Sequence, residues 1–216
     1  MITISAATIY EGARRAFLEL RSDGKANSND PELLQEAAAA IEISQVVQDV
    51  PAFAVRQNTF QYTRDYAAYF PFADSELVRL ESEHYTGLLL ADGQLDSITA
   101  SLRSSPASRR NLLSTWHTGH EDASRPEAPC LTQLYFRVRN DYLDLHAHFR
   151  ANNAWSLLLM DMELATSVQY EVASRLGLRA GAYVHFVDSL HLYKRDIENI
   201  DKQTEFFMQA PIWKQQ

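Results

Sequence analysis

The segment EAPCLTQLYFRVRNDYLDLHAHFRANNAW, residues 127–155, decides the fold of this 216-residue chain. Polar and apolar residues alternate along its first half, so that Leu134, Phe136 and Val138 share one side of a predicted strand. Asn140-Asp141 is a two-residue turn of the kind that joins antiparallel strands. The second half alternates again and places four residues on one side: Leu143, Leu145, Ala147 and Phe149. The segment therefore predicts a β-hairpin with one buried face.

Helices and strands are predicted on both sides of this hairpin. Apolar residues at helical spacing predict helices over residues 9–24, 95–105 and 154–177, and Gly177 ends the last of them. The other expected elements are a helix passing into a strand (31–47), short helices (51–85), a strand leading into a loop (109–119), a loop (120–129) and one or two strands (182–193). This order predicts an α+β fold in a single domain, residues 1–216, with an extensive sheet covered by helices on one side.

Composition and charge limit the possible classes of function. The formal net charge of −8 at pH 7 argues against general nucleic-acid binding, and no apolar run reaches the roughly 18 residues of a membrane span. The N-terminus lacks the basic start and apolar run of a signal peptide. A single cysteine forms no internal disulfide, which fits a reducing compartment. We therefore expect a soluble cytoplasmic protein that binds neither membranes nor nucleic acids.

Cys130 is the only cysteine, and it follows Pro129 at the predicted start of the first hairpin strand. A lone cysteine is most often a small buried hydrophobic residue. However, Arg150 ends the return strand, so a hairpin in simple register brings both residues to the same end. A nearby guanidinium lowers the pKa of a thiol from its free value of about 8.5. The residues alone thus leave two interpretations, a packing residue or an activated nucleophile.

Asp161 lies on the apolar face of the third predicted helix, which also carries Leu157, Leu158, Leu164 and Val168. An unpaired charge on such a face is costly. Asp161 is therefore either a buried aspartate that a protein donor satisfies, or a carboxylate at the base of a pocket that accepts a hydrogen bond from a ligand.

Two further pairs of polar residues suggest a binding site. Arg109 and Arg110 form either a solvated turn or the forked donors that hold a phosphate. His191 and Tyr193 share one face of the last predicted strand, where they are surface residues or line the rim of a pocket.

A metal site is an alternative use of the histidines. His146 and His148 share a strand face, and residues 117–122 (HTGHED) add two histidines and two carboxylates. No third ligand has diagnostic spacing, so we expect no metal. A metal-dependent hydrolase is the lesser alternative.

Taken together, these residues resemble the thymidylate synthase superfamily, including its pyrimidine nucleotide hydroxymethylase branch. The resemblance covers residues 95–200 and rests on four islands in the order of the family: DSITASL with PASRR (96–102 and 106–110), APC (128–130), the spacing from Cys130 to Arg150, and HLY (191–193). It implies a thymidylate synthase-like α+β fold, in which helices cover a large mixed sheet and one sheet face is used for dimerisation.

The resemblance also implies a reaction. The Cys130 thiolate would add to C6 of a pyrimidine nucleoside monophosphate, and C5 would then attack the one-carbon unit of 5,10-methylenetetrahydrofolate. Arg150 would hold the phosphate, and Arg109 and Arg110 would reach the phosphate in the other subunit of a homodimer. The histidine and tyrosine of HLY would bind a hydroxyl of the sugar.

Three residues depart from the family pattern, and one of them, Asp161, indicates a cytosine base. Ala151 and Asn153 stand where the family has the serine and aspartate that follow its phosphate arginine, and Asp161 stands where it has the asparagine that reads uracil. A carboxylate suits the N4 donors and the N3 acceptor of cytosine, whereas an amide suits uracil. The combination is similar to that of deoxycytidylate hydroxymethylases, which implies that Asn153 and Asp161 act in catalysis with Cys130.

In that branch, water captures the exocyclic methylene intermediate and the product is a 5-hydroxymethylcytidine nucleotide. The missing serine hydroxyl at Ala151 opens space near the sugar, so the substrate is CMP or dCMP. A thymidylate synthase acting on dUMP and a nucleotide-binding homologue without folate chemistry remain alternatives. Two residues of the family have no clear match; the candidates are Arg21, Lys25 and Arg56 for an N-terminal phosphate arginine, and Asp65, Glu81 and Glu83 for a proton-relaying glutamate.

Overall fold

A six-stranded mixed sheet forms the centre of the structure. The structure is a computed structural model, and it describes residues 1–26, 29–44, 46, 53–56, 59–62, 85, 87–89, 93–117, 128–198 and 200–201. In chain order the elements are β1 (Ile2–Ala6), α1 (Ile9–Asp23), β2 (Leu33–Ile43), β3 (Phe53–Arg56), β4 (Thr59–Tyr62), α2 (Gln94–Ser104), β5 (Leu112–Ser114), β6 (Leu131–Arg139), β7 (Tyr142–Asn153), α3 (Leu158–Leu176), β8 (Arg179–Tyr193) and a 3₁₀ turn (Lys194–Asp196). The large sheet has the order β1-β2-β8-β7-β6-β5, and β3 and β4 form a separate antiparallel pair.

The helices cover one face of the large sheet. Helix α1 packs against β1 and β2, and α3 packs against β7 and β8. The inward residues of β7 are the four that the alternation predicts, and each is at most 1% exposed: Leu143, Leu145, Ala147 and Phe149. The predicted α+β architecture and the three predicted helices are confirmed.

The hairpin of β6 and β7 also forms as predicted, in a register that pairs Val138 with Leu143 and Arg139 with Tyr142. Asn140 occupies the turn with φ of 54°, in the left-handed region that asparagine tolerates better than most residues. Gly177 ends α3 at φ of 69°, where its amide donates to the carbonyls of Ala173 and Ser174. Asn140 therefore forms the hairpin turn and Gly177 ends the helix, as the sequence predicts.

Two predicted elements are wrong. Residues 33–43 form strand β2 instead of beginning as a helix, because this strand lies inside the sheet, parallel to β1 and antiparallel to β8. Pairing on both edges outweighs the helix preference of the alanine run Ala37–Ala40. Within 51–85, residues 53–56 and 59–62 are strands rather than short helices. Residues 63–84 lie outside the described part of the chain.

Asp144 departs from the predicted alternation of β7. The pattern places it on the outer face, but it is only 5% exposed. Its Oδ1 accepts a hydrogen bond from Ala182 N at 2.9 Å, and its Oδ2 pairs with Arg139. The register between β7 and β8 shifts at this point, which turns the carboxylate toward the backbone of β8.

We expect Gly181→Ala to destabilise the protein. A Cβ at Gly181 would collide with Asp144 Oδ1 and lie 3.1 Å from Tyr142 Cβ, so the two strands would have to separate locally. Such overpacking costs about 1–3 kcal/mol in the free energy of unfolding, which urea denaturation measures. Gly87→Ala is the matched control, since a Cβ there meets nothing within 4 Å. Equal unfolding free energies for the two variants would contradict the prediction.

Candidate active site

The pairing of β6 with β7 brings Cys130 next to Arg150. Leu131 of β6 pairs with Phe149 of β7, and just beyond that pair Arg150 N donates to Cys130 O at 2.9 Å. Cys130 is half-buried and packs at the edge of the apolar core. Thiol and guanidinium therefore belong to residues at the same end of the hairpin.

The Arg150 guanidinium holds the segment that leads into Cys130. Its Nε donates to Pro129 O at 2.9 Å, and its Nη2 donates to Ala128 O at 2.8 Å. With the backbone bond to Cys130 O, these contacts fix three successive carbonyls at the thiol. Arginine has five N–H donors and Arg150 is exposed, so its remaining donors can bind an anion such as phosphate.

Tyr85 supports the residue after Cys130, and no sequence signal points to it. Leu131 N donates to Tyr85 OH at 3.3 Å, and Tyr85 is 1% exposed. Thr115 Oγ1 also donates to Leu131 O. Tyr85 stands at the end of the aromatic-rich segment 51–85, where no periodic pattern distinguishes one tyrosine from another.

The end of β8 adds His191 and Tyr193 to the same end of the sheet. His191 pairs with Asn153 of β7, and Ala154 N donates to His191 O at 2.9 Å. His191 Nδ1 lies 3.0 Å from Ser189 O, a carbonyl that only accepts, so Nδ1 carries the proton. Burial lowers the pKa of His191. The neutral ring therefore offers Nε2 as an acceptor, for instance to a sugar hydroxyl, and it contacts the Tyr193 ring at 4.8 Å between centroids.

Asn153 shapes the turn from β7 into α3. Its Oδ1 accepts from Trp155 N at 2.9 Å and from Ser156 N at 3.2 Å. Its Nδ2 donates to Asp196 Oδ2 at 3.4 Å, near the limit of a hydrogen bond. Asn153 thus caps the turn with its carbonyl oxygen, and its amide nitrogen is held only loosely.

Asp161 lies in the first turn of α3, directly after this turn, and is 2% exposed. Its Oδ2 accepts a hydrogen bond from Asn152 Nδ2 at 3.0 Å. The same amide nitrogen lies 3.3 Å from His185 Nε2, and His185 Nδ1 lies 2.6 Å from Tyr183 OH. Asp161 is therefore the end of a buried polar chain that runs from α3 through β7 to β8.

Burial controls the charge of this polar chain. It lowers the pKa of His185 to about 3, with a smaller contribution from His148, so the ring is neutral at physiological pH. Burial and the adjacent Asp161 raise the pKa of Tyr183 well above its usual value. Sequence reasoning finds Asp161 but misses Asn152, Tyr183 and His185, since residues this far apart form no recognisable motif.

Arg109 and Arg110 are exposed and lie away from Cys130 within one chain. Arg110 N donates to Ser108 Oγ, and Arg137 Nη1 donates to Ser108 O at 3.1 Å, which fixes the turn against β6. Arg137 follows Cys130 by seven residues along this strand. At about 3.3 Å per residue the separation is roughly 20 Å. A single chain therefore does not bring the arginine pair to the thiol.

Three of the remaining sequence candidates have other contacts in the described part of the chain. His146 and His148 contact aromatic rings, Tyr135 at 6.0 Å and Phe186 at 4.7 Å between centroids. No cluster of three His, Cys, Asp or Glu side chains suited to a metal occurs among the described residues. Arg21 pairs with Asp201 at 2.5 Å. Other candidates lie outside the residues whose side chains are described: Arg56, Asp65, Glu81, Glu83, His120, Glu121 and Asp122.

Comparison with known proteins identifies the family. The family model described as thymidylate synthase matches residues 86–211, more than half of the chain. The chain belongs to the thymidylate synthase family. The solved structure of thermostable thymidylate synthase A from Bacillus subtilis is similar in fold, with a TM-score of 0.64 at 15% identity, and the match covers 92% of this chain and 84% of that chain. The predicted thymidylate synthase-like fold is confirmed.

Two curated relatives match at lower coverage. The chain is 26% identical over 124 residues to a thymidylate synthase of Streptococcus suis, a match that covers 56% of this chain and 44% of that protein. It is 29% identical over 153 residues to a putative thymidylate synthase of Methanocaldococcus jannaschii, covering 68% and 62%. The chain thus spans about half of the length of the curated relatives that it matches. In the described part of the chain, no helix has the length and apolarity needed to cross a bilayer.

A substitution of His185 tests whether its buried ring stays neutral, because the charge of the ring determines how the free energy of unfolding depends on pH. The folded pKa of His185 is about 3, below the unfolded value of about 6.5, so between these values only the unfolded state binds the proton. This residue therefore removes up to about 1.4 kcal/mol of stability per pH unit as the pH falls through that window. We expect His185→Gln to remove this dependence.

The measurement is urea denaturation of the wild type and His185→Gln from about pH 8 to about pH 4. The difference between their free energies of unfolding should be constant above about pH 7.5 and should shrink on acidification below about pH 6.5. A difference that stays constant over the whole range would show that His185 titrates normally in the folded protein.

Proposed function

We propose that this protein hydroxymethylates C5 of a cytidine monophosphate, CMP or dCMP, through a covalent bond between Cys130 Sγ and C6. The observation that carries the proposal is the buried carboxylate of Asp161, at the end of the sheet that also holds Cys130, Arg150 and His191. Family membership supports a reaction at a pyrimidine nucleotide, and Asp161 supports cytosine as its base.

The thiol begins the reaction. C5 of cytosine is a poor nucleophile, but addition of the Cys130 thiolate at C6 moves the electron pair of the C5–C6 double bond to C5. The Arg150 guanidinium holds the carbonyls of Ala128 and Pro129, its backbone N–H holds the carbonyl of Cys130, and these contacts orient Sγ toward the ring. The exposed face of the same guanidinium binds the 5′-phosphate, so one residue aligns both nucleophile and substrate.

Asn153 is the described residue that fits a folate. Its carbonyl oxygen is fixed by two backbone amides, whereas its Nδ2 donates only at 3.4 Å to Asp196 and can donate instead to an acceptor on a heterocycle. When bound, 5,10-methylenetetrahydrofolate supplies the methylene carbon, so that nucleotide, folate and water give 5-hydroxymethylcytidylate and tetrahydrofolate. The methylene carbon would pass from the folate nitrogen to C5 as C5 gives its proton to a base, water would then add to the exocyclic methylene, and cleavage of the bond to Cys130 Sγ would restore the ring.

Asp161 selects the base because its carboxylate oxygens are hydrogen-bond acceptors. Cytosine presents an amino group at N4 and an acceptor at N3, and a carboxylate accepts from the first and shares a proton with the second. Uracil presents an acceptor at O4 next to N3–H, and a carboxylate repels that acceptor. Because Asp161 is 2% exposed, water cannot compensate for the mismatch.

The sugar contacts leave CMP and dCMP as alternatives. His191 Nε2 accepts a hydrogen bond from a sugar hydroxyl, and Tyr193 supports the ring. Ala151, half-buried beside Ser189 of β8, lacks the hydroxyl that the family has at this position. The smaller side chain leaves room for a 2′-hydroxyl.

A homodimer completes the phosphate site. Arg109 and Arg110 lie roughly 20 Å from Cys130 along β6, so their donors serve the active site of a second subunit. The sheet face opposite the helices carries half-buried side chains suited to a partner: Tyr135, His146, His148 and Phe186. A cytoplasmic location fits this chemistry, because a reducing compartment keeps the Cys130 thiol free.

A thymidylate synthase acting on dUMP is the second candidate, and the printed names of the curated relatives favour it. Asp161 is the evidence against it, because the carboxylate opposes O4 of uracil. A nucleotide-binding homologue without folate chemistry is the third.

Cys130→Ala should abolish turnover while nucleotide binding survives. Loss of a covalent nucleophile reduces kcat by about 10³-fold or more, whereas the phosphate and sugar contacts remain. Wild type and variant are incubated with CMP, dCMP or dUMP, each together with methylenetetrahydrofolate. The nucleotide product is then identified by mass spectrometry. Calorimetry measures nucleotide affinity, which should change by less than about threefold.

A hydroxymethyl adduct on a cytosine nucleotide supports the proposal and identifies the sugar. A methyl adduct on dUMP makes the protein a thymidylate synthase. Binding without any product favours the nucleotide-binding homologue, and undiminished turnover by Cys130→Ala rules out the covalent mechanism.

Asp161→Asn should shift preference from cytosine toward uracil nucleotides. The amide can donate to O4 and accept from N3–H, so we expect the ratio of kcat/KM for cytosine over uracil nucleotides to fall by about 10²-fold or more. Asp144→Asn is the matched control, since it neutralises a buried carboxylate that binds Ala182 N away from the site. An unchanged ratio in Asp161→Asn would remove the argument for cytosine.

A further inference from the structure

Three buried polar residues stand behind Asp161 without a role in the reaction described above. Asn152, His185 and Tyr183 are at most 2% exposed, and they connect Asp161 to β8 through contacts of 3.0, 3.3 and 2.6 Å. Apolar side chains of the same size would pack there without any need for polar partners. Packing alone therefore does not explain why this row of three buried residues is polar.

The proton positions in this row depend on one another. Asn152 Nδ2 has two N–H groups, one for Asp161 Oδ2 and one for His185 Nε2, so His185 accepts at Nε2 and is protonated at Nδ1. His185 Nδ1 then donates to Tyr183 OH. The amide presents a donor to Asp161 Oδ2, and a hydrogen bond of this kind stabilises the ionised form of the carboxyl.

The opposite orientation of the Asn152 amide requires a different set of protons. Its Oδ1 would then face both partners, which demands a proton on Asp161 and a proton on His185 Nε2. In the observed orientation Asn152 Oδ1 is buried without a hydrogen-bond partner among the described residues. An unsatisfied buried acceptor lowers stability, so the contacts of the amide nitrogen must maintain this orientation.

Helix α3 also stabilises the ionised form of Asp161. Asp161 lies in the first turn of α3, where the positive end of the helix dipole stabilises a negative charge. Two independent features, the amide donor and the helix N-terminus, thus favour the ionised form of this buried carboxylate.

We propose that Asn152, fixed by His185 and Tyr183, is a positioning residue that keeps Asp161 ionised, so that a proton taken up from solvent when the nucleotide binds lies on N3 of cytosine and is shared with the carboxylate. This inference rests on the proposed function. A proton on N3 withdraws electrons from the ring and makes C6 a better target for the Cys130 thiolate. The polar row therefore acts on the rate of thiolate addition, through Asp161, and not on nucleotide binding.

Exchange of the C5 hydrogen isolates thiolate addition from folate chemistry. In D₂O without folate, the bond between Cys130 Sγ and C6 forms, C5 takes up a deuteron, the original C5 proton leaves, and the bond to Sγ breaks. Mass analysis of CMP, dCMP and dUMP then gives kcat and KM for each nucleotide. The step consumes only solvent deuterons and needs no other reactant.

The variants are Asn152→Leu, Asp161→Asn and the double variant. We expect Asn152→Leu to lower kcat for exchange of the cytosine nucleotide about tenfold or more, with KM changed less than about threefold. The ratio of kcat/KM for cytosine over uracil nucleotides should fall as well. In the Asp161→Asn background, Asn152→Leu should change that ratio by less than about twofold, since its effect passes through the carboxylate.

Gln169→Leu is the matched control, because it removes another fully buried amide whose Oε1 has no hydrogen-bond partner among the described residues. It should lower stability and leave both exchange parameters as in the wild type. Tyr183→Phe is the conservative second variant, which deletes only the hydroxyl that holds His185 and should lower kcat by a few-fold in the same direction.

The results separate this inference from the proposed function. If the wild type exchanges C5 of a cytosine nucleotide but Asn152→Leu and Tyr183→Phe behave like Gln169→Leu, the positioning role is wrong and the proposed function stands. Additive effects of Asn152→Leu and Asp161→Asn also overturn it. If the wild type exchanges no cytosine nucleotide, the proposed function fails and the inference fails with it.

Discussion

Strand β7 lies between an antiparallel and a parallel neighbour, and the candidate active site depends on that arrangement. The start of β6 and the ends of β7 and β8 meet at one end of the sheet because the three strands run in these senses. Two backbone bonds fix the register there, from Arg150 N to Cys130 O and from Ala154 N to His191 O. A slip by one residue would move every side chain of β7 to the opposite face. Cys130 and His191 are 61 positions apart in sequence, and this pairing places them at the same end of the sheet.

The sequence indicates those parts of this arrangement that are encoded locally. The alternation in residues 131–149 follows from a sheet with one face under helices, and Asn140 and Gly177 mark their turns because few residues tolerate positive φ. Strand β2 is missed because its alanines favour a helix, and only the two neighbouring strands decide otherwise. Asp144 is misplaced for a related reason, since a register shift against β8 cannot be read from β7 alone.

The site divides in the same way. Cys130, Arg150 and Asp161 are found because each breaks a local expectation, a thiol at a strand start, a guanidinium at a strand end and a charge on an apolar helix face. Asn152, His185 and Tyr183 break no such expectation, as polar residues in strands are ordinary. Their connection exists only after β7 and β8 pair and α3 packs over them. The role of Tyr85 likewise follows from a contact with Leu131, which lies 46 residues away in sequence.

In the proposed reaction, the buried Asp161 would serve both base specificity and catalysis. A carboxylate that is 2% exposed would ordinarily take up a proton, and a neutral acid would donate to O4 of uracil nearly as well as it binds cytosine. Discrimination therefore requires that the charge persist in a place where solvent does not stabilise it. The Asn152 amide and the first turn of α3 supply that stabilisation from within the protein. In the proposed function, the same negative charge would reject uracil and would hold a proton on N3 of cytosine, which would favour attack by the Cys130 thiolate.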